Sequence, residues 1–459
     1  MDSILHHNIF REYDIRGIAA RDLAPEAVAL ISKAIGTFFC KYGAKRIAVG
    51  FDCRESSPRI YEILTQCLTA AGCDVFSVRM VPTPVLYYAV HTGDIEGGVM
   101  ITGSHNPPEH NGFKICLGRD ALCGPQIREI YDIAAGGKFA SGKGNLTTLE
   151  IMDDYCDAIV SGVTLNPRPL RVCVDAGNGM GGVTAVPIYR RLGAVELKGL
   201  FTDPDPQFPN HHPDPTVPEN LVHLTNAVLE SKADVGLAFD GDGDRIGVVD
   251  DTGRIVWGDE LLALFSHYVL KEFPGSTIIA EVKCSQTLFD EIEGSGGTPI
   301  MWKAGHSLIK ARMKVTGALL AGEMSGHIFF ADRFFGFDDA VYAGARLLEI
   351  LSHSDRRLSE LLSDFPKLPS TPEIRIECPD EIKFQVVEAI IKEFEDTHEI
   401  NRIDGARIRY ADGWGLVRPS NTQELIILRF EADTPERVAA IRREIEQSVN
   451  RIIRRMTAS

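Results

Sequence analysis

Three times along this chain a short apolar strand ends in glycine or polar residues and gives way to a helical segment. The units begin at residues 45–52 (KRIAVGFD), 170–179 (LRVCVDAGNG) and 276–282 (STIIAEV). Strands alternating with helices need crossover connections, so each unit predicts a mixed α/β layer with helices packed on a sheet. Successive units lie about one domain length apart, which points to three related domains in series.

The rest of the chain reads differently. Pro366, Pro369 and Pro372 mark a linker into a last segment with a strand over 373–378, a helix over 381–395 and strands near 406–410, 415–418 and 424–431. That run of close strands predicts a small α+β domain with a mainly antiparallel sheet. A final helix starts with Thr434 as N-cap and Pro435 at its first position, with Val438, Ile441, Ile445, Val449 and Ile452 along one face. Small polar residues at 136–144 read as a linker, followed by a helix from about Ile151, and residues 203–218 as a proline-rich loop inside the second unit. Loops of that length in compact domains are often functional. The chain turns again at 251–253, before a helix with apolar positions Leu261, Leu264, Phe265, Tyr268 and Val269. A length of 459 residues favours three or four domains. The expected divisions are 1–145, 146–252, 253–367 and 368–459.

Composition narrows the partners. The formal net charge of −16 argues against nonspecific nucleic-acid binding. A phosphate site on such a chain must show as local Arg, Lys or backbone donors. No apolar run approaches the roughly 18 residues of a membrane span, and the opening MDSILHH lacks the basic and apolar regions of a signal peptide. The expected location is cytoplasmic. Ten cysteines, none in a CxxC pair and most in apolar surroundings, read as small buried hydrophobes.

Five segments carry chemistry. The densest is Asp240-Gly241-Asp242-Gly243-Asp244-Arg245, set between the apolar stretches 235–239 and 246–249. Three carboxylates at alternate positions can converge on one hard cation if the glycines bend the loop, or form a solvated acidic turn; oxygen-only ligands favour Mg²⁺ or Ca²⁺. An EF-hand needs a longer loop with a terminal Glu and flanking helices, which are missing here. The second is Thr102-Gly103-Ser104-His105-Asn106-Pro107-Pro108, followed by a strand with Lys114. A serine on a tight loop between strands is a candidate phosphate carrier; equally, Gly, Asn and Pro make ordinary turns. Adjacent Ser and His side chains seldom face each other, and no G-x-S-x-G elbow is present.

The third segment, Gly322-Glu323-Met324-Ser325-Gly326-His327, offers groups that hydrogen-bond sugar hydroxyls, or a polar loop with a buried histidine. The fourth, Arg418-Pro419-Ser420-Asn421-Thr422, combines a guanidinium, hydroxyls and an amide as a phosphate cradle, or forms a capped turn. It is not a Walker loop. The fifth, residues 10–17 (FREYDIRG), reads as a solvated strand, with Tyr13 and Arg16 able to face a cleft.

Together, and in this order, these segments closely resemble the α-D-phosphohexomutase superfamily across nearly the whole chain. The match is closest to its bacterial phosphomannomutase/phosphoglucomutase members. The FREYDIRG stretch and the methionine of GEMSGH fit that group, and the last loop reads RPSNT where phosphoglucosamine mutases typically have RPSGT and a glutamine in the sugar loop. Phosphoglucomutase-only enzymes commonly lack the histidine that stands here as His327, and the dual-specificity group often has alanine at the position of Pro419.

The resemblance implies an α/β fold of four domains, heart-shaped around a central cleft, with three related α/β domains and a smaller C-terminal α+β domain. It implies Ser104 as a phosphoserine whose phosphate completes a Mg²⁺ shell with Asp240, Asp242 and Asp244, and Arg245 beside the transfer site. Glu323, Met324, Ser325, Gly326 and His327 would form the sugar loop. Arg418, Pro419, Ser420, Asn421 and Thr422 would hold the unreacting phosphate, and Tyr13, Arg16 and Lys114 would line the cleft. Lys283 and His306 fall where the family places substrate contacts and are candidates for general acid/base help. The implied activity is reversible interconversion of hexose 6-phosphate and hexose 1-phosphate, mannose and/or glucose, with hexose 1,6-bisphosphate as activator. Partners are small sugar phosphates, without nucleic acid or membrane, for a monomer or homodimer. A phosphoglucosamine mutase and a catalytically silent sugar-phosphate-binding protein are the alternatives.

Overall fold

The computed structural model describes residues 5–193, 195–420 and 424–457, arranged around four sheets. In the first, Arg46–Phe51, Asp74–Met80 and Gly97–Ile101 run parallel, and His110–Leu117 and Ile15–Ile18 extend the sheet antiparallel. In the second, Val195–Leu200, Leu170–Asp175 and Val235–Phe239 are parallel, followed by antiparallel Ile246–Asp250 and Ile255–Val256. The third joins parallel Thr298–Trp302, Thr277–Glu281 and Leu320–Gly322 to antiparallel Ile328–Phe330. The fourth is antiparallel throughout.

The first three sheets share one device. The last parallel strand doubles back into an antiparallel one, and the turn between them carries a motif. Ile101 pairs with Phe113 across the serine loop, Phe239 with Ile246 across the aspartate loop, and Gly322 with Ile328 across the sugar loop. In the fourth sheet Pro419 pairs with Ile426 across the last motif. Central strands such as Gly97–Ile101 and Val235–Phe239 are buried along their whole length, as parallel strands covered by helices on both faces must be. These rigid strands fix where each turn points.

The first domain has its own core, where Val28, Ile31, Ile35 and Phe38 of helix Pro25–Lys41 meet sheet residues Ile47 and Val49. The other face of its sheet, with Val85, Leu86 and Met100, joins the second and third domains in one continuous core that includes Tyr155, Tyr189, Phe239, Phe265 and Phe330. The fourth is closed by helix Pro435–Thr457, whose five expected apolar positions are all buried. Thr434 Oγ1 accepts from Arg437 N at 3.2 Å, the cap read from sequence.

Three details differ from the sequence reading. Residues 136–144 do not hang free. Gly144 N donates to Thr69 O at 2.9 Å, and a Cβ at Gly144 would sit 1.8 Å from Cys73 O. Glycine lets the chain lie on a helix end and deliver strand Leu146–Thr148, beyond the expected boundary at 145, to the first sheet. Likewise strand Ile255–Val256, beyond 252, belongs to the second sheet. Short strand Glu399–Asn401 also pairs in the fourth sheet, and three residues give too little alternation to be read. All ten cysteines are free. Among the described residues no helix is long and apolar enough to cross a membrane.

Candidate active site

The first three turns and the strand ends Arg418 and Leu425 converge on a cleft of about 1290 Å³ lined by residues from all four domains. Ser104 sits at its wall, 2% exposed, with φ at +48°. A side chain rarely adopts that backbone without outside support. The support is Arg54, fully buried, whose guanidinium donates to the carbonyl oxygens of Ser104 (2.7 Å), Asn106 and Pro107 (both 2.5 Å) and His110 (3.0 Å). A Cβ at Gly103 would lie 2.5 Å from that guanidinium. Ser104 Oγ donates to Asp240 Oδ2 at 2.9 Å and lies 3.3 Å from His105 Nδ1. Neighbouring Ser and His seldom face each other, but the left-handed turn at Ser104 brings these two side chains to the same side. Burial, with Arg245 nearby, pushes the His105 imidazole well below its usual range and favours a neutral ring.

The aspartate loop is a turn wound on Asp240. Its Oδ1 accepts from the backbone N–H groups of Gly243, Asp244 and Arg245 at 3.0–3.2 Å. Asp242 and Asp244 then point inward, and all three carboxylates are fully buried and close together. Lys114 Nζ reaches Asp242 Oδ2 at 2.6 Å and Asp244 Oδ2 at 2.5 Å, and Thr83 Oγ1 donates to Asp242 Oδ2 at 2.5 Å. Among the described residues, Oδ1 of Asp242 and Oδ1 of Asp244 have no hydrogen-bond partner. Burial, then Asp242 and Asp244, push the Asp240 carboxyl well up against the opposing charges of Arg245 and Lys114. Two unpartnered buried carboxylate oxygens and an all-oxygen donor set fit a hard divalent cation. Gly241 lies against the serine loop, where a Cβ would meet Ser104 O at 2.3 Å.

The sugar loop abuts the aspartate loop, with Ile246 N donating to Gly326 O at 3.0 Å. Gly326 has φ +89°, and a Cβ there would lie 2.2 Å from Ile246 O, so only glycine fits. Glu323 Oε1 accepts from Gly305 N at 3.3 Å, and Ser325 Oγ donates to Glu323 Oε2 at 3.3 Å. His327 is held from both sides: Arg245 Nε donates to its Nε2 at 2.9 Å, and its Nδ1 lies 3.1 Å from Asp338 Oδ2. His306 stacks beside it, ring centroids 5.6 Å apart. Burial, helped by Lys310, depresses the His306 pKa well below its usual range.

Across the cleft, Arg418 is buried, with Nε and Nη2 each 3.0 Å from Asp404 Oδ2. Ser420 follows it, and Pro419 contributes backbone at the strand end. Asn421 and Thr422 lie outside the described residues. Lys283 Nζ is 2.6 Å from Glu373 Oε1 and 3.6 Å from Glu281 Oε1. Burial opposes its charge, but the two carboxylates prevail and raise its pKa. The lysine is thereby held charged at the cleft wall. Tyr13 OH donates to Ala304 O at 2.7 Å, and Arg16 bonds Asn106 Oδ1 at 2.8 Å, so the FREYDIRG stretch faces the cleft rather than bulk solvent.

Matches to four domain models cover the chain. They are phosphoglucomutase/phosphomannomutase alpha/beta/alpha domains I (residues 7–141), II (153–253) and III (257–368) and the C-terminal domain (373–448). The chain belongs to the phosphoglucomutase/phosphomannomutase family. It is 47% identical over 436 residues to a Pseudomonas aeruginosa phosphomannomutase/phosphoglucomutase, covering 95% of this chain and 94% of that one. A Neisseria meningitidis phosphoglucomutase is 47% identical, with 96% of each chain covered. The crystal structure of a phosphoglucomutase/phosphomannomutase family protein from Burkholderia thailandensis superposes with a TM-score of 0.92 at 41% identity, over 98% of both chains.

Within this family framework, the cleft lining takes in Tyr13, Arg16, Ser104, Lys114, Arg245 and Lys283, and also His306, Glu323, Met324, Ser325, His327, Arg418 and Ser420. The three aspartates lie buried behind it. Sequence reasoning missed Arg54, Asp338, Glu373, Asp404 and His212. Each acts across the fold rather than within a motif. Only the proline-rich loop gave a signal for His212.

Proposed function

We propose that the protein interconverts the 6-phosphate and 1-phosphate of a hexose, mannose and/or glucose, through a phosphoryl group carried on Ser104. The observation that carries this reading is Ser104 Oγ resting on the aspartate cluster at one wall, with cationic Arg418 and Lys283 at the other. Such a cleft accepts a substrate phosphorylated at both ends. Asp240, Asp242 and Asp244 would hold Mg²⁺, which supplies charge neutralisation for the phosphate oxygens when bound.

In the forward half-reaction the bond between phosphorus and Ser104 Oγ breaks and a bond from phosphorus to the sugar hydroxyl oxygen forms. The hydroxyl's proton leaves to a base. His306, kept neutral by burial beside the sugar loop, is the acceptor on hand. Arg245 contributes positive charge at the transfer site, which matters because phosphoryl transfer depends on alignment and electrostatics. Glu323, Ser325 and His327 fix the sugar hydroxyls, and Arg418 and Ser420 bind the other phosphate. The resulting bisphosphate turns end for end in the cleft, and its second phosphoryl group returns to Ser104. A hexose 1,6-bisphosphate would therefore recharge an enzyme that had lost its phosphoryl group. Ten free thiols suit the reducing cytosol as the place of work.

The deciding experiment assays mannose 1-phosphate, glucose 1-phosphate and glucosamine 1-phosphate side by side, with Mg²⁺ and bisphosphate present. Intact mass before turnover should show about 80 Da added to Ser104. Turnover of the amino sugar alone would reassign the substrate, and no turnover of any would leave a binding protein.

A further inference from the structure

The proline-rich segment between Leu200 and Pro218 carries neither helix nor strand, yet it reaches the serine loop. Side-chain and backbone pins from the turn after strand Leu170–Asp175 hold it. Asn178 Nδ2 donates to Asp203 O at 2.9 Å, Asp205 N donates to Asn178 O at 2.9 Å, and Asn210 Nδ2 donates to Asn178 Oδ1 at 2.7 Å. His211 is the last pin. Its Nε2 lies 3.0 Å from both carboxylate oxygens of Asp175, and its Nδ1 lies 3.0 Å from His212 O. The next ring, His212, presents Nε2 to the carbonyl oxygen of His105, the residue beside Ser104.

Both nitrogens of His211 thus face acceptors only. A neutral imidazole has one N–H, so it would leave one contact as two lone pairs in opposition. The doubly protonated ring satisfies both and pairs its charge with Asp175, which is 1% exposed. We propose that His211 is an imidazolium latch, a positioning residue that ties the segment to Asp175 and so sets His212 against the serine loop. Other groups packed on the ring are Phe201, edge-on at 5.5 Å, and His223, stacked at 6.2 Å. His223 is the one further titratable side chain among these contacts, and it lies on the exposed side. Burial opposes the charge on His211, but the Asp175 hydrogen bond outweighs it and the pKa is raised above 6.5. The sign follows: the latch is closed at low pH and opens as pH rises through that raised value. The protonation state stands on geometry alone, whereas its effect on turnover rests on reading Ser104 as the phosphate carrier.

Two measurements separate these parts. In ¹⁵N-histidine-labelled full-length protein, the His211 ring, assigned by its loss in His211→Gln, should show both nitrogens protonated at pH 7. Its midpoint should fall by at least one pH unit in Asp175→Asn, which keeps the shape of the partner. A neutral single tautomer at pH 7 would overturn the latch whatever the kinetics. In the mutase assay, His211→Gln and Asp175→Asn should each lower kcat about tenfold or more, with KM within about threefold. Wild-type kcat should also fall on the alkaline side at the NMR midpoint, and that limb should vanish in His211→Gln. A protonated His211 with unchanged kcat in both variants would overturn the positioning role while leaving the protonation intact.

Discussion

Ser104 and Asp240 lie 136 positions apart in sequence, yet Ser104 Oγ donates directly to Asp240 Oδ2 at 2.9 Å. The contact crosses from the first domain to the second. It forms because both turns end equivalent parallel strands and because Gly241 lets the two loops touch. Ser104 and the aspartate cluster are therefore one assembly, and it exists only when the two domains are docked.

Removing the carrier should separate chemistry from folding. Ser104→Ala loses one hydroxyl from a loop already held by Arg54 through four carbonyls. Mutase activity should drop at least a thousandfold, while the melting temperature moves by no more than a few degrees. Circular dichroism and the coupled assay check this, and full turnover in the variant would remove Ser104 from the mechanism.

Lys114 is the internal counter-charge of the aspartate cluster. Taking it away leaves Asp242 and Asp244 buried without their contacting cation, a change worth about 3–5 kcal/mol. Lys114→Met should unfold at much lower urea in EDTA, and millimolar Mg²⁺ should restore more stability to it than to wild type. An equal Mg²⁺ response in both proteins would mean that no cation binds at the aspartates.

Much of this was readable because it is local. The aspartate loop, the serine loop and the sugar loop are contiguous residues between apolar strands, and each maps to one turn. The terminal helix was legible to its cap, since Thr434 and five apolar positions obey one periodicity. Arg54 was not legible. It belongs to none of the five segments, and its burial follows from packing under a loop some 50 residues away. Asp338 and Glu373 were hidden for the same reason, since their partners His327 and Lys283 come from other elements. Strand Leu146–Thr148 was masked by the glycines that deliver it.

The pair Lys283–Glu373 ties the third domain to the fourth and should show in acid. Lys283 is the main cause, ahead of opposing burial, holding the Glu373 carboxyl down at about 2 against an ordinary 4.5. A depressed carboxylate contributes stability that is complete above about pH 4.5 and is lost as pH falls toward about 2, amounting to roughly 3 kcal/mol at most. The stability gap between wild type and Glu373→Gln should thus be largest near pH 6 and close as the pH falls below 4.5. Urea titrations at several pH values test it. A gap that stays constant into acid would show that the ion pair does not form.

Gly305 sets how closely the first domain approaches the third at the cleft. It adopts φ +130°, and a Cβ there would lie 2.5 Å from the Tyr13 ring, whose hydroxyl bonds Ala304 O. Ala304 N in turn donates to Asp404 Oδ2 at 3.0 Å, so this one turn touches the first and fourth domains from the third. Gly305→Ala should hold the ring away and keep the cleft open, which on the proposed mechanism would expose the phosphoryl group to water. Expected outcomes are a fall of about tenfold or more in kcat/KM and a higher ratio of hydrolysis to transfer. Small-angle scattering should show no substrate-induced compaction. Because backbone strain at this φ would also lower activity, the double variant Gly305→Ala/Tyr13→Ala discriminates. If the clash dominates, the second change recovers compaction and the two effects are far from additive. Strict additivity would place the cost in the turn itself and not in closure.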